Sequence, residues 1–141
     1  MDDLLKYADN NDYQVLFHKT NEIRSFSMEL QQKLYINLDE TQFESEIEKR
    51  VCLAHEIGHC ISGTTYTLNH SKLYRGSAEY KADYRAAQLL VPIEKLKECI
   101  SKGIIEKYII AEFFGITEEF VDRVLYIYSN KGLLMDITQS V

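Results

Sequence analysis

The sequence predicts an α+β domain: a small antiparallel sheet packed on a pair of helices, followed by a helical tail. Three observations lead there. Between residues 13 and 39 apolar side chains alternate with more polar ones, the period of half-buried strands. From residue 41 onward the apolar period lengthens to that of amphipathic helices. The composition, 45% hydrophobic and 27% charged over 141 residues, is that of a globular chain long enough to bury one core.

The elements follow in order. Residues 2–8, "DDLLKYA", make a short helix. "YQVLFHKT", "EIRSFSMEL" and "KLYINLD" make three strands. Val15 and Phe17, then Leu34, Ile36 and Leu38, supply the alternating apolar face, and "KTNE" and "LQQK" are the turns. "TQFESEIEKRVCLAHEIGHCIS" reads as one long helix. Thr41 is its N-cap, Glu44 stands three residues on in a capping-box spelling, and Gly63 is its stop. "TTYTLNHSKLYRG" is the longest polar loop. A second helix, "SAEYKADYRAAQLLV", starts near Gly76 or Ser77 and ends before Pro92. Pro92, the one proline, suits the first turn of a third helix, "PIEKLKECISK". "IEKYIIAEFFG" and "TEEFVDRVLYIYSNKG" close the chain as helices. With no internal repeat and no flexible linker, the expectation is a single domain, with a core over 1–91 and a helical subdomain over 92–141.

Several function classes are excluded. A net charge of −6 leaves no global basic footprint for nucleic acid or a membrane surface. No run approaches the roughly 18 apolar residues of a membrane span. The opening "MDDLLKYADN" lacks a basic segment followed by an apolar stretch, so no secretory signal is expected. Cys52, Cys60 and Cys99 are odd in number and form no C-x-x-C pair, which argues against a disulfide framework or a cysteine metal site. The cytoplasm is the expected compartment.

The chemistry concentrates in "VCLAHEIGHCISG", where His55, Glu56 and His59 spell H-E-x-x-H with two of the chain's four histidines. A chance match in a chain of this content is about one in a hundred. On a helix, residues four apart lie on one face, so both imidazoles can meet one ion, and zinc takes imidazole nitrogen readily. Glu56, rotated about 100° from His55, flanks that ion and can serve as general base toward a water beside it. A catalytic zinc needs a third protein ligand. The second helix offers Glu79, with Asp83 one turn on and placed to accept the far N–H of a ligating histidine.

"LAHEIGHCI" followed by "EYKADYRAAQLLVP", with Glu79 twenty residues after His59, resembles the ImmA/IrrE family of small gluzincin-type zinc metallopeptidases. The matching positions are the H-E-x-x-H helix, then Glu79, Ala82, Asp83 and Pro92, and the resemblance runs over residues 13–128. Two departures stand out: Arg85 where many members carry Phe, and Cys60 beside the second ligand. The resemblance implies limited proteolysis of a helix-turn-helix transcriptional repressor, as in mobile-element and stress-response switches. The rival reading is a catalytically silent, peptidase-like module that captures a repressor or another regulatory partner; the intact H-E-x-x-H and Glu79 disfavour it.

Other features weigh less. His70, Tyr66, Tyr74 and Arg75 fall in the loop between the two ligand helices, where one of them could stabilise an oxyanion or touch substrate. His18 reads as a surface or core residue. Ala111, Gly115, Ile116 and Val121 are spaced like a helix-turn-helix. The second helix there opens with Glu118, Glu119 and Asp122, which would repel phosphates, so direct nucleic-acid binding is not expected. These acids, with Glu112, complement a basic DNA-binding protein partner. Oligomeric state is not readable from the residues.

Overall fold

The computed structural model describes residues 1–65 and 72–135 of the chain, and compactness divides it into two units, Met1–Ala86 and Ala87–Val141. In the first, helix α1 (Asp2–Asn10) precedes strands β1 (Tyr13–Leu16), β2 (Ser25–Leu30) and β3 (Lys33–Leu38), and helix α2 (Glu46–Ser62) follows them. Helix α3 (Lys72–Leu90) runs on into the second unit, which continues with α4 (Ile93–Ser101), α5 (Lys107–Phe114) and α6 (Glu118–Asn130).

The α+β class is as predicted, but the sheet is mixed, with strand order β1-β3-β2. β2 and β3 form an antiparallel hairpin, whereas β1 pairs parallel to β3, Val15 opposite Ile36. Connection length explains the difference. Gln31 and Gln32 both take positive φ, 52° and 66°, the two-residue turn whose twist matches a tight hairpin, so β2 and β3 must be neighbours. Residues 17–24 are long enough to reverse the chain and still leave room for β3 between β1 and β2. Side-chain bonds then finish the β1 edge: Asn37 Oδ1 accepts from the His18 amide and Asn37 Nδ2 donates to the His18 carbonyl, each at 2.9 Å. His18 itself is exposed.

The long helix expected from Thr41 is also corrected. Asp39, fully buried, caps a single 3-10 turn at Glu40–Gln42; its carboxylate accepts from the Thr41 amide and hydroxyl, from Gln42 Nε2 and from the Thr20 amide. These donors hold its pKa well below the usual carboxylate range. The backbone is extended at Phe43, and α2 starts afresh at Glu46 with Ser45 as N-cap, its Oγ accepting from the Glu48 amide at 3.1 Å. Ser45 and Glu48 are the better capping-box pair because they lie immediately before the apolar run. Gly63 ends α2 in the left-handed conformation, as expected.

α1 packs on β1, and α2 lies across β2 and β3. Leu4, Ala8, Ile36, Leu38, Leu53, Ala54 and Ile57 form the core of this unit. α3 begins at Lys72, earlier than predicted, and runs through Gly76, whose cost of about 1 kcal/mol a long helix absorbs. In the second unit Leu96, Ile110, Phe114, Phe120, Val121, Val124 and Ile127 are buried, and the Tyr128 hydroxyl donates to the Val91 carbonyl at 2.7 Å. Pro92 sits one position outside α4, as its N-cap. α5 and α6 pack together across Gly115, which is left-handed, with Thr117 Oγ1 capping α6 by accepting from the Phe120 amide. Among the described residues no helix is long and apolar enough to cross a membrane.

Candidate metal centre

The site is built where α2 and α3 nearly touch. Gly58 lies inside α2, and a Cβ there would stand 2.1 Å from the Ala82 carbonyl oxygen of α3. Only glycine permits that approach. Ala78, Ala82 and Ala86, at four-residue spacing, give α3 a matching buried face of small side chains. Close backbones bring the residues flanking Ala82 within reach of α2: Glu79 on one turn, Asp83 on the next.

His55, His59 and Glu79 converge, their donor atoms within 4.8 Å of one another. Glu79 divides its carboxylate: Oε2 lies 2.9 Å from His55 Nε2, and Oε1 lies 2.9 Å from His59 Nε2. The two Nε2 atoms are 3.1 Å apart, with the rings at right angles. Zinc bonds of 2.0–2.2 Å in a tetrahedron put neighbouring ligand atoms about 3.3 Å apart, so the three groups need only small adjustments to share one ion.

The electrostatics ask for a cation. Asp83 Oδ1 sits 2.6 Å from His55 Nδ1 and accepts its hydrogen, so whenever the ring is neutral its lone pair lies on Nε2. Burial would lower the His55 pKa, but hydrogen bonds to Asp83 and Glu79 outweigh it and lift it to about 10. The contacts with His55 and His59 hold Glu79 far below the ordinary carboxylate range. A proton on His55 and a metal ion answer the same demand and compete for Nε2. Glu79 is half exposed and the two imidazoles are not, so the cluster opens to solvent on the Glu79 side.

Glu56 is buried on the sheet side of α2. Its Oε2 accepts from Ser25 Oγ–H at 2.6 Å, and Ser25 Oγ in turn accepts from the Cys52 thiol at 2.9 Å. Ser25 is the first residue of β2, an edge strand among the described residues, so Glu56 and the start of the sheet edge are in contact. Oε1 makes no hydrogen bond among the described residues. Glu56 also lies close enough for its charge to add to the raised pKa of His55.

Residues 9–126 match the peptidase family described as the IrrE N-terminal-like domain. The chain belongs to this family. No curated protein and no solved structure matches it. The matched span includes both the H-E-x-x-H of α2 and Glu79 of α3, whose cluster with His55 and His59 could hold a metal ion.

The departures noted in the sequence are mild. Arg85 is exposed and lies over the Tyr84 ring, 5.6 Å from its centroid. Cys60 is buried; desolvation, then the charge of Glu56, pushes its thiol up to about 12, and burial pushes Cys52 up to about 11. Neither is a ready thiolate. All three cysteines are free.

Of the four loop residues, Tyr66 and His70 lie outside the described residues, as does the Tyr74 side chain. Arg75 is an exposed residue of α3 rather than of a loop. Sequence reasoning missed Ser25, Ser62, Thr64 and the part played by Gly58. A glycine in mid-helix is itself a signal of close packing. Ser25 carries no local signal, because its contact depends on strand placement 31 residues away.

Proposed function

We propose that this protein is a zinc-dependent metallo-endopeptidase that makes a limited cut in a helix-turn-helix transcriptional repressor in the cytoplasm. The convergence of His55, His59 and Glu79 on one point, within a peptidase family, carries the reading. His55 Nε2, His59 Nε2 and the Glu79 carboxylate would hold the zinc. When bound there, zinc acts as a Lewis acid that polarises a peptide carbonyl and makes water a better nucleophile.

The chain's own groups do the rest. Asp83 holds the His55 ring by its Nδ1 hydrogen. Ser25 fixes one oxygen of Glu56, and the other takes the proton of the attacking water and later gives it to the leaving amine. The β2 edge, which begins at Ser25 and pairs with no further strand among the described residues, would receive an extended substrate segment. Such an edge accepts a mobile linker far better than a folded domain. The exposed acids Glu112, Glu118, Glu119 and Asp122 favour a basic partner, the character of a DNA-binding protein.

The test is co-incubation of the zinc-loaded protein with small helix-turn-helix repressors, any encoded by a neighbouring gene first, read by mass spectrometry. Two defined fragments are expected, formed about 10²–10⁴-fold more slowly with Glu56→Gln. Degradation of casein at a similar rate would overturn the specificity. Stable capture of the repressor without a cut would overturn the enzymatic reading in favour of a binding module.

A further inference from the structure

We infer that Thr64 and Ser62 form a hydroxyl relay that fixes His59 in the tautomer with hydrogen on Nδ1, making Thr64 a positioning residue for this imidazole. Ser62 Oγ lies 2.6 Å from the Gly58 carbonyl, which can only accept, so the Ser62 hydrogen is spent there. Ser62 Oγ also lies 2.9 Å from Thr64 Oγ1 and must be the acceptor in that bond, so the single Thr64 hydrogen points to Ser62. Thr64 Oγ1 lies 2.9 Å from His59 Nδ1 and has no hydrogen left to give. Nδ1 therefore donates. In the neutral ring, Nε2 keeps its lone pair, and Nε2 is the atom facing Glu79 and His55.

Local structure holds the relay in place. Gly63 turns the chain back with φ 67°, so the Thr64 amide donates to the His59 carbonyl at 2.9 Å while its side chain meets the ring of the same residue. Thr64 and His59 are both 7% exposed. The relay also has an opponent. Glu79 Oε1, 2.9 Å from Nε2, favours the other tautomer, with hydrogen on Nε2. A donor-free Thr64 oxygen on the far side decides the contest for Nδ1–H.

The two histidines thus receive the same instruction by different means. Asp83 instructs His55 with a full negative charge, and Thr64 instructs His59 with none. Glu79 and Asp83 already balance the charge of a divalent ion, and a further carboxylate at His59 would exceed it. The consequence for metal affinity rests on the proposed role of His59 as a ligand; the tautomer itself does not.

The experiment uses the whole chain labelled with 15N-histidine. Long-range proton–nitrogen correlation spectra of the metal-free protein report the His59 tautomer, and zinc affinity is measured separately by competition with a chromophoric chelator. Wild type and Thr64→Ser should show Nδ1–H. Thr64→Val, which keeps the shape and loses the hydroxyl, should move hydrogen to Nε2 and bind zinc about 10–100-fold more weakly, with affinity restored in Thr64→Ser. Should Thr64→Val fail to fold, the wild-type spectrum still decides. A bare Nδ1 in folded wild type, or hydrogen still on Nδ1 alone in folded Thr64→Val, overturns the relay. Wild type that shows Nδ1–H but takes up no zinc upholds the relay and counts against the metallopeptidase reading.

Discussion

Helix α2 presents different chemistry on its two sides. Toward α3 it offers His55, Gly58 and His59, and the contact is set by backbone against backbone and by two carboxylates. Toward β2 it offers Cys52 and Glu56, and the contact is a chain of one thiol and one hydroxyl ending on a buried carboxylate. The first side gathers negative charge around lone pairs and so demands a cation. The second holds a single acid among neutral donors, beside thiols that burial keeps protonated. On the proposed function, metal binding and proton transfer are separable on one helix, because a turn of about 100° per residue sends neighbours His55 and Glu56 to different partners.

The strongest way to break this division is to remove a ligand from the α3 side. His59→Ala or Glu79→Ala should lose stoichiometric zinc, and all cleavage with it, because two remaining ligands make an incomplete site. Elemental analysis of the purified variants checks this. Full occupancy in Glu79→Ala would place the third ligand elsewhere, with Asp83 next in line.

The matching change on the β2 side should leave the metal alone. Glu56→Gln keeps the size and the Ser25 contact but cannot accept the proton of water. Zinc content should match wild type, while kcat falls by about 10²–10⁴-fold. Turnover at the wild-type rate would remove Glu56 from the role of base.

How much of this division the sequence displays depends on range. The H-E-x-x-H pair and the i, i+4 pair Glu79–Asp83 are local patterns, and helix geometry alone puts each on one face. Their meeting was inferable because a catalytic ion needs a third ligand. The β2 side is silent in the sequence. Ser25 reaches Glu56 only because β2 takes an edge position beside α2, and strand order is set by connections, not by alternation. The same blindness made the sheet look antiparallel throughout. Capping was misread for a related reason: Thr41 and Ser45 both spell a box with a later Glu, and the buried Asp39 claims Thr41 for its own turn. Gly58 was in plain view, but its purpose shows only once Ala82 is opposite.

That contact gives the next prediction. Gly58→Ala improves helix propensity by about 1 kcal/mol. Against that, a Cβ 2.1 Å from a backbone oxygen must push α2 and α3 apart, an overpacking cost of about 3 kcal/mol. The variant should melt lower than wild type in the metal-free state. Zinc affinity should drop as well, since Glu79 moves away with α3. A higher melting temperature with unchanged affinity would show that the helices do not set the site.

The smallest effect, and the sharpest test of separability, is Ser25→Ala. The substitution removes the donor to Glu56 Oε2 and leaves the Cys52 thiol without its acceptor. A thiol is a weak donor and loses little. A hydrogen bond to an ionised carboxylate contributes about 1.5–3 kcal/mol, so stability should fall by about that much at most. The carboxylate remains and can still take a proton, but nothing pins its second oxygen. A misplaced catalytic group loses rate without losing its chemistry, so kcat should fall by about tenfold, well short of the Glu56→Gln loss. Backbone pairing along β2 does not involve the Ser25 hydroxyl, so KM for an extended peptide substrate should hold, and Ser25→Thr should recover most of kcat. Zinc affinity should not change, because no ligand or ligand partner is touched. If Ser25→Ala instead weakened zinc binding while sparing kcat, the two sides of α2 would be one coupled unit, and the division between metal and base would not stand.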